Sequence, residues 1–223
     1  MVTDIRNKIR KIVLEYGTIR DKKYHVIGKP FRVLIGAILS QRTRDAKTDE
    51  AAKNLFSVIS NPEDIINMGI EKLQNLIKPS GFYRQKSKNI KKLCEILVRD
   101  YDGNVPKKRE ELLRLPGVGF KTADIVSLYA YGIPTIPVDI HVEIVSKRLG
   151  LVRKDAKYEE TRATLENIFN KKEIPRINSG MVEFGQRVCL TARPKCYMCP
   201  LMGVCKYDKK NLNPPRSASV RPV

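Results

Sequence analysis

Leu112-Leu113-Arg114-Leu115-Pro116-Gly117-Val118-Gly119-Phe120-Lys121-Thr122-Ala123 is the stretch on which the reading of this chain turns. It joins two apolar-periodic segments through Pro-Gly-Val-Gly, a connection too short for anything but a tight hairpin between helices. The two glycines admit backbone conformations that other residues resist and leave their N–H groups open to close approach. The amides of Gly117, Val118 and Gly119, at the start of the next helix, would make a concave donor site for a phosphate. An ordinary inter-helix turn uses the same residues, so charge has to decide. The 223 residues hold 43 Lys+Arg and 24 Asp+Glu, a net charge of +19. Such an excess favours a polyanionic partner, nucleic acid or an anionic membrane surface, and makes phosphate the better reading of the hairpin.

Lys121 falls in the first turn of the helix that follows. Partial burial there would favour a nucleophilic amine able to form Schiff bases. A surface lysine touching phosphate is the plainer reading of the same position. Downstream, Asp139 in Pro137-Val138-Asp139-Ile140-His141 directly precedes an apolar-periodic segment and reads as an N-cap. A cap carboxylate can also stabilise developing positive charge, and the two roles are compatible. His141 has no metal-ligand spacing to His25 and reads as a packing or hydrogen-bonding residue.

On either side of the hairpin, helical periodicity runs through the chain. Thr3 can cap a helix with Ile5, Ile9, Ile12, Val13 and Tyr16 on one face. Further helices are expected over 31–39, after Thr43, over 63–68 behind an Asn61-Pro62 start, and over 71–77, 86–101 and 107–113. Four more are expected over 120–131, 139–149, 158–169 and 177–189. The β-branched runs sit inside 3.6-residue patterns, so the fold class is all-α. No apolar run approaches the ~20 residues that span a bilayer, and the charged start Met1-Val2-Thr3-Asp4-Ile5-Arg6 lacks the apolar stretch of a secretory signal. These features read as a soluble, intracellular, cytoplasmic protein with no membrane partner. The stretch after Tyr207 has little to bury, and 208–223 reads as a disordered basic tail.

Four of the five cysteines, Cys189, Cys196, Cys199 and Cys205, lie within seventeen residues at spacings x6, x2 and x5. A tight thiol cluster in a reducing compartment reads as a metal or cluster site before a disulfide framework. Zinc is the rival, since four thiolates can hold it tetrahedrally. Unequal short spacings around a single x2 pair suit a compact iron–sulfur cubane better than paired zinc knuckles. Arg193 and Lys195 lie inside the first loop, where a metal would also hold two cations in place for phosphate.

Taken together, Leu115-Pro116-Gly117-Val118-Gly119-x-Lys121-Thr122-Ala123, Val138-Asp139-x-His141 and the cysteine spacing resemble the endonuclease III family of helix-hairpin-helix DNA glycosylases, from the first helix to Tyr207. The resemblance implies Lys121 as catalytic lysine, Asp139 as catalytic aspartate, and a [4Fe–4S] cluster on the four cysteines. Leu39-Ser40-Gln41-Arg42-Thr43 is similar to the segment whose glutamine fills the space left by an extruded nucleotide. Gly81-Phe82-Tyr83-x-x-Lys86 is similar to the loop that wedges an apolar side chain into the stack, here Phe82 in place of the usual leucine. The sequence departs from the family pattern at Asp45, Ile140 and Glu143.

The resemblance further implies two helical lobes with a DNA cleft between them. Residues 22–134 would form a six-helix lobe with the hairpin, and 1–21 plus 135–207 the cluster lobe. It implies a monomeric, nucleoid-associated enzyme of base excision repair acting on double-stranded DNA with damaged bases or abasic sites. Oxidised or ring-saturated pyrimidines would be excised through a lysine Schiff base, and the strand nicked by β-elimination. Its rivals are a monofunctional mismatch-directed thymine or adenine glycosylase and, from another class, a non-catalytic redox-sensing DNA-binding protein.

Overall fold

The computed structural model describes residues 2–24 and 29–214, and in the first of these stretches the side chains of 6–17. The side chains of Thr3 and Ile5, His25, and the tail beyond residue 214 lie outside the described residues. Eleven α-helices follow one another, and no strand occurs among the described residues. They are α1 (Val2–Tyr24), α2 (Pro30–Ser40), α3 (Asp45–Phe56), α4 (Pro62–Asn67), α5 (Ile70–Ile77) and α6 (Tyr83–Tyr101). Then come α7 (Arg109–Leu112), α8 (Phe120–Tyr131), α9 (Ile140–Leu149), α10 (Tyr158–Ile168) and α11 (Ile174–Arg187). The chain is all-α, as its periodicity predicts. Among the described residues no helix is long and apolar enough to cross a membrane.

Local chemistry sets most of the boundaries. Asn61 accepts from the Asp64 amide at 3.0 Å while the Asp64 carboxylate accepts from the Asn61 amide at 3.2 Å, a reciprocal cap that starts α4. Pro30 opens α2, and Gly132 and Gly150 end α8 and α9 in the left-handed conformation. Four boundaries differ most from expectation, and one is the start of α6 at Tyr83, three residues early, behind the left-handed Phe82. Helix α1 begins at Val2 and so takes in Thr3 rather than being capped by it. Helix α7 is a single turn, because Lys108 is extended and Leu113 already belongs to the approach to the hairpin. Helix α11 starts at Ile174, three residues early, with Pro175 supplying a preset first turn.

The chain forms two compact units, His25–Pro137 and Met1–Tyr24 with Val138–Val223. The first carries the hairpin. Its six longer helices and the turn α7 enclose a core that includes Leu34, Ile38, Leu55, Leu73, Leu93 and Val126. The second carries the cysteines, and there α1 lies along α11. Gly180 makes this possible: a Cβ at that position would overlap the Val13 backbone carbonyl. Tyr16 meets Phe184 edge-on at 5.3 Å, and Arg10 pairs with Glu173 at 2.7 Å.

Candidate nucleic-acid interface and active site

The hairpin is closed by one hydrogen bond, from the Val118 amide to the Leu115 carbonyl at 3.1 Å. That corrects one expectation, since Val118 has its amide engaged in the turn and its side chain buried in the core. No bond of the turn uses the amides of Gly117 and Gly119 among the described residues. Gly117 has a φ of +80, which only glycine adopts without strain, and a side chain there would press on Asn89. Across the turn, Arg109 donates to Asp124 at 2.6 Å, and its guanidinium lies 5.3 Å from the Phe120 ring centre. Asp124 is fully buried, so its charge depends on that partner, and the pair locks α7 to α8. Lys121 stands in the first turn of α8 and is exposed.

Gln41 follows α2 directly. Its Nε2 donates to the Gly117 carbonyl at 2.8 Å and to Thr122 Oγ1 at 3.1 Å, so the side chain rests on the hairpin. Phe82, at the N-terminus of α6, is 63% exposed and so is not part of the core. The guanidinium of Arg42 lies 5.6 Å from the Phe82 ring centre. Both residues have left-handed backbones, φ 50 and φ 58. Each such residue costs on the order of 1 kcal/mol and persists only where its surroundings over-determine it.

The over-determining group is Lys86, 5% exposed, whose role sequence reading missed. Its Nζ reaches Leu39 O at 2.8 Å, Gln41 O at 2.6 Å, Thr43 Oγ1 at 2.9 Å and Ser80 Oγ at 2.7 Å. Burial lowers its pKa to about 8. The signal was available, because Tyr83, Lys86, Ile90, Leu93 and Leu97 share the core-facing register of α6, and only one of them is charged.

In the other unit, Asp139 caps α9, its Oδ1 accepting from the His141 and Val142 amides at 2.9 Å each. His141 packs against Gly185, with its Nδ1 buried and unpartnered among the described residues. Ile140, beside the carboxylate, is 54% exposed. All four cysteines line one cavity and none is in a disulfide. Burial pushes the Cys199 thiol up to about 11 and raises Cys189 as well. Yet among the described residues no three Cys, His, Asp or Glu side chains converge on a single metal ion. Four cysteine thiols lining one small cavity are a donor set that fits a thiolate-held metal or iron–sulfur group.

Arg148, also missed in sequence, ties this loop to α9. It donates to the carbonyls of Leu190 at 2.7 Å and Thr191 at 2.9 Å and stacks on Tyr207 at 4.4 Å. Inside the loop Arg193 is exposed, with a left-handed φ of 54, and Lys195 is half-buried.

A helical hairpin with open glycine amides, followed by an exposed lysine in a chain of net charge +19, points to a protein that handles nucleic acid. Residues 35–171 match the HhH-GPD superfamily base excision DNA repair proteins, and the chain belongs to that family. It is 44% identical over 191 residues to endonuclease III of Thermotoga maritima, covering 86% of this chain and 89% of that one. Endonuclease III of Bacillus subtilis is 41% identical, covering 84% and 87%. A solved trapped endonuclease III–DNA covalent intermediate, in an estranged-adenine complex, superposes with a TM-score of 0.82 at 39% identity, covering 90% of this chain and 95% of that one. The activity is that of a base excision repair enzyme, a DNA glycosylase with abasic-site lyase function.

Proposed function

We propose that the enzyme excises oxidised or ring-saturated pyrimidines from double-stranded DNA and nicks the resulting abasic site through a Schiff base on Lys121. The observation that carries this reading is the exposed Lys121 amine in the first turn of α8, directly behind the hairpin amides. The target base lies inside a duplex and must be extruded at the cost of unstacking. Phe82 entering the stack and Gln41 filling the gap would offset that cost. As the glycosidic bond breaks, positive charge builds on the sugar, and the Asp139 carboxylate stabilises it. The Lys121 amine attacks C1′ as the base leaves with the amine's proton, the C1′–O4′ bond then opens with O4′ taking a proton from solvent, and the resulting iminium acidifies the C2′ proton. Loss of that proton breaks the C3′–O bond and releases the 3′ phosphate. Incubation with a panel of lesion-bearing duplexes, scoring base release separately from nicking, tests this. Nicking without release of any pyrimidine lesion would refute the substrate assignment.

Cys189, Cys196, Cys199 and Cys205 would hold a [4Fe–4S] cluster, which supplies structure and electrostatics by shaping the loop that carries Arg193 and Lys195. Anaerobically purified protein is expected to be brown, with about four irons per chain. Finding about one zinc and no iron would overturn the assignment. The enzyme acts as a monomer, and its reduced thiols and DNA substrate support a nucleoid location in the cytoplasm.

Arg193 and Lys195 contact phosphate and not base edges. Arg193→Ala or Lys195→Ala should therefore weaken binding equally across flanking sequences and reduce the salt slope by about 0.9 for each phosphate left without its cation. A change in preference among flanking sequences, in titrations from low to moderate salt, would contradict the phosphate role.

A further inference from the structure

We infer that Lys86 is a positioning residue that holds the Gln41 loop and the Phe82 loop in one fixed relation, so that a duplex is opened by both together. This rests on the DNA-opening role proposed for those two side chains. Lys86 rises from the first turn of α6, immediately behind Phe82, and its ammonium reaches four oxygens within 2.9 Å. Two of them, the carbonyls of Leu39 and Gln41, lie at the C-terminal end of α2. That helix has no basic residue in its own last turn, so Lys86 supplies from α6 the cation that a helix C-terminus favours.

The remaining oxygens knit the loops to each other. Ser80 Oγ donates to Leu39 O at 2.8 Å, and Thr43 Oγ1 donates to Gln41 O at 3.1 Å while accepting from the Gly81 amide at 3.0 Å. Three ammonium protons thus serve four acceptors, one proton being shared. An apolar residue would satisfy the core register of α6 equally well, so the charged head is what this position needs. From Gln41 the connection continues to the hairpin through Gly117 O. The strained backbones of Arg42 and Phe82 sit on either side of this knot.

The test compares Lys86→Met with the wild type on one abasic site, presented in a duplex opposite a purine and in the isolated single strand. A single strand has neither a stack to wedge apart nor a partner to hold open. Single-turnover nicking of the duplex should fall by tenfold to about a hundredfold, as expected when ~1 Å misplacement disturbs a reacting geometry. Nicking of the single strand should change by less than about twofold. Equal loss on both substrates, with a lowered Tm, would show a merely structural lysine and overturn the inference.

If Lys86→Met does not fold, Thr43→Val removes one acceptor and carries the same two-substrate comparison with the same two outcomes. A second readout needs no lyase chemistry. With 2-aminopurine beside an uncleavable tetrahydrofuran site, saturating wild-type protein should raise the fluorescence, and the variants should not. Wild-type protein that opens this duplex but nicks neither abasic substrate would refute the Schiff-base reading while leaving Lys86 tested by fluorescence. Variants that raise the fluorescence as the wild type does would overturn the inference.

Discussion

Borohydride added to the wild-type enzyme on abasic duplex DNA should join protein and DNA covalently, and Lys121→Gln should abolish that product. The lysine nitrogen condenses with the C1′ aldehyde of the opened sugar, water leaves, and hydride reduces the C=N bond to a stable secondary amine. Glutamine, one bond shorter, stays polar but offers no nucleophilic nitrogen. Lys121 is exposed, so the substitution should leave the fold intact. DNA affinity should change little, because the Gly117 and Gly119 amides remain. Trapping that survives in Lys121→Gln would assign the nucleophile to another amine. No trapping by the wild type on any lesion or abasic site would remove lyase activity altogether.

Asp139→Asn is expected to separate the two halves of the reaction. The side-chain oxygen that accepts from the His141 and Val142 amides is kept, and asparagine caps helices about as well as aspartate. The lost charge at the start of α9 costs about 0.3–1 kcal/mol of stability. Base excision should fall about 10²–10³-fold, the usual effect of removing one group aimed at developing charge. Nicking of a site that has already lost its base should fall less, since no sugar cation need form there. Asp139→Ala should add about 0.5–2 kcal/mol of destabilisation by removing the cap. Equal loss of excision and nicking in Asp139→Asn, at unchanged Tm, would place the carboxylate at the lysine's chemistry instead of the departing base's.

The parts of the site readable in sequence are those whose partners are close in sequence. Asp139 caps amides two and three residues away, and Asn61 before Pro62 starts α4 from its own neighbourhood, so residue type and spacing sufficed. The same holds for α8, whose Phe120–Tyr131 span matches its periodicity and its closing Gly132. Lys86 was different. It closes the motif that begins at Gly81, yet no role could be read for it, because its partners Leu39, Gln41 and Thr43 lie 43–47 residues away. Arg148 and the Arg109–Asp124 pair escaped for the same reason, each being an ordinary charge until its long-range partner is known.

The all-helical class, the hairpin, the clustering of four cysteines and the N-cap position of Asp139 were thus legible from chain order. Periodicity, capping and ligand spacing are short-range properties that need no knowledge of what packs where. It took the folded molecule to show that Val118 turns inward, that Phe82 stays exposed and that Lys86 is buried among neutral oxygens. These outcomes depend on which helices meet. Whether a polar group is tolerated inside rests on the partners that packing brings to it, and chain order does not name them.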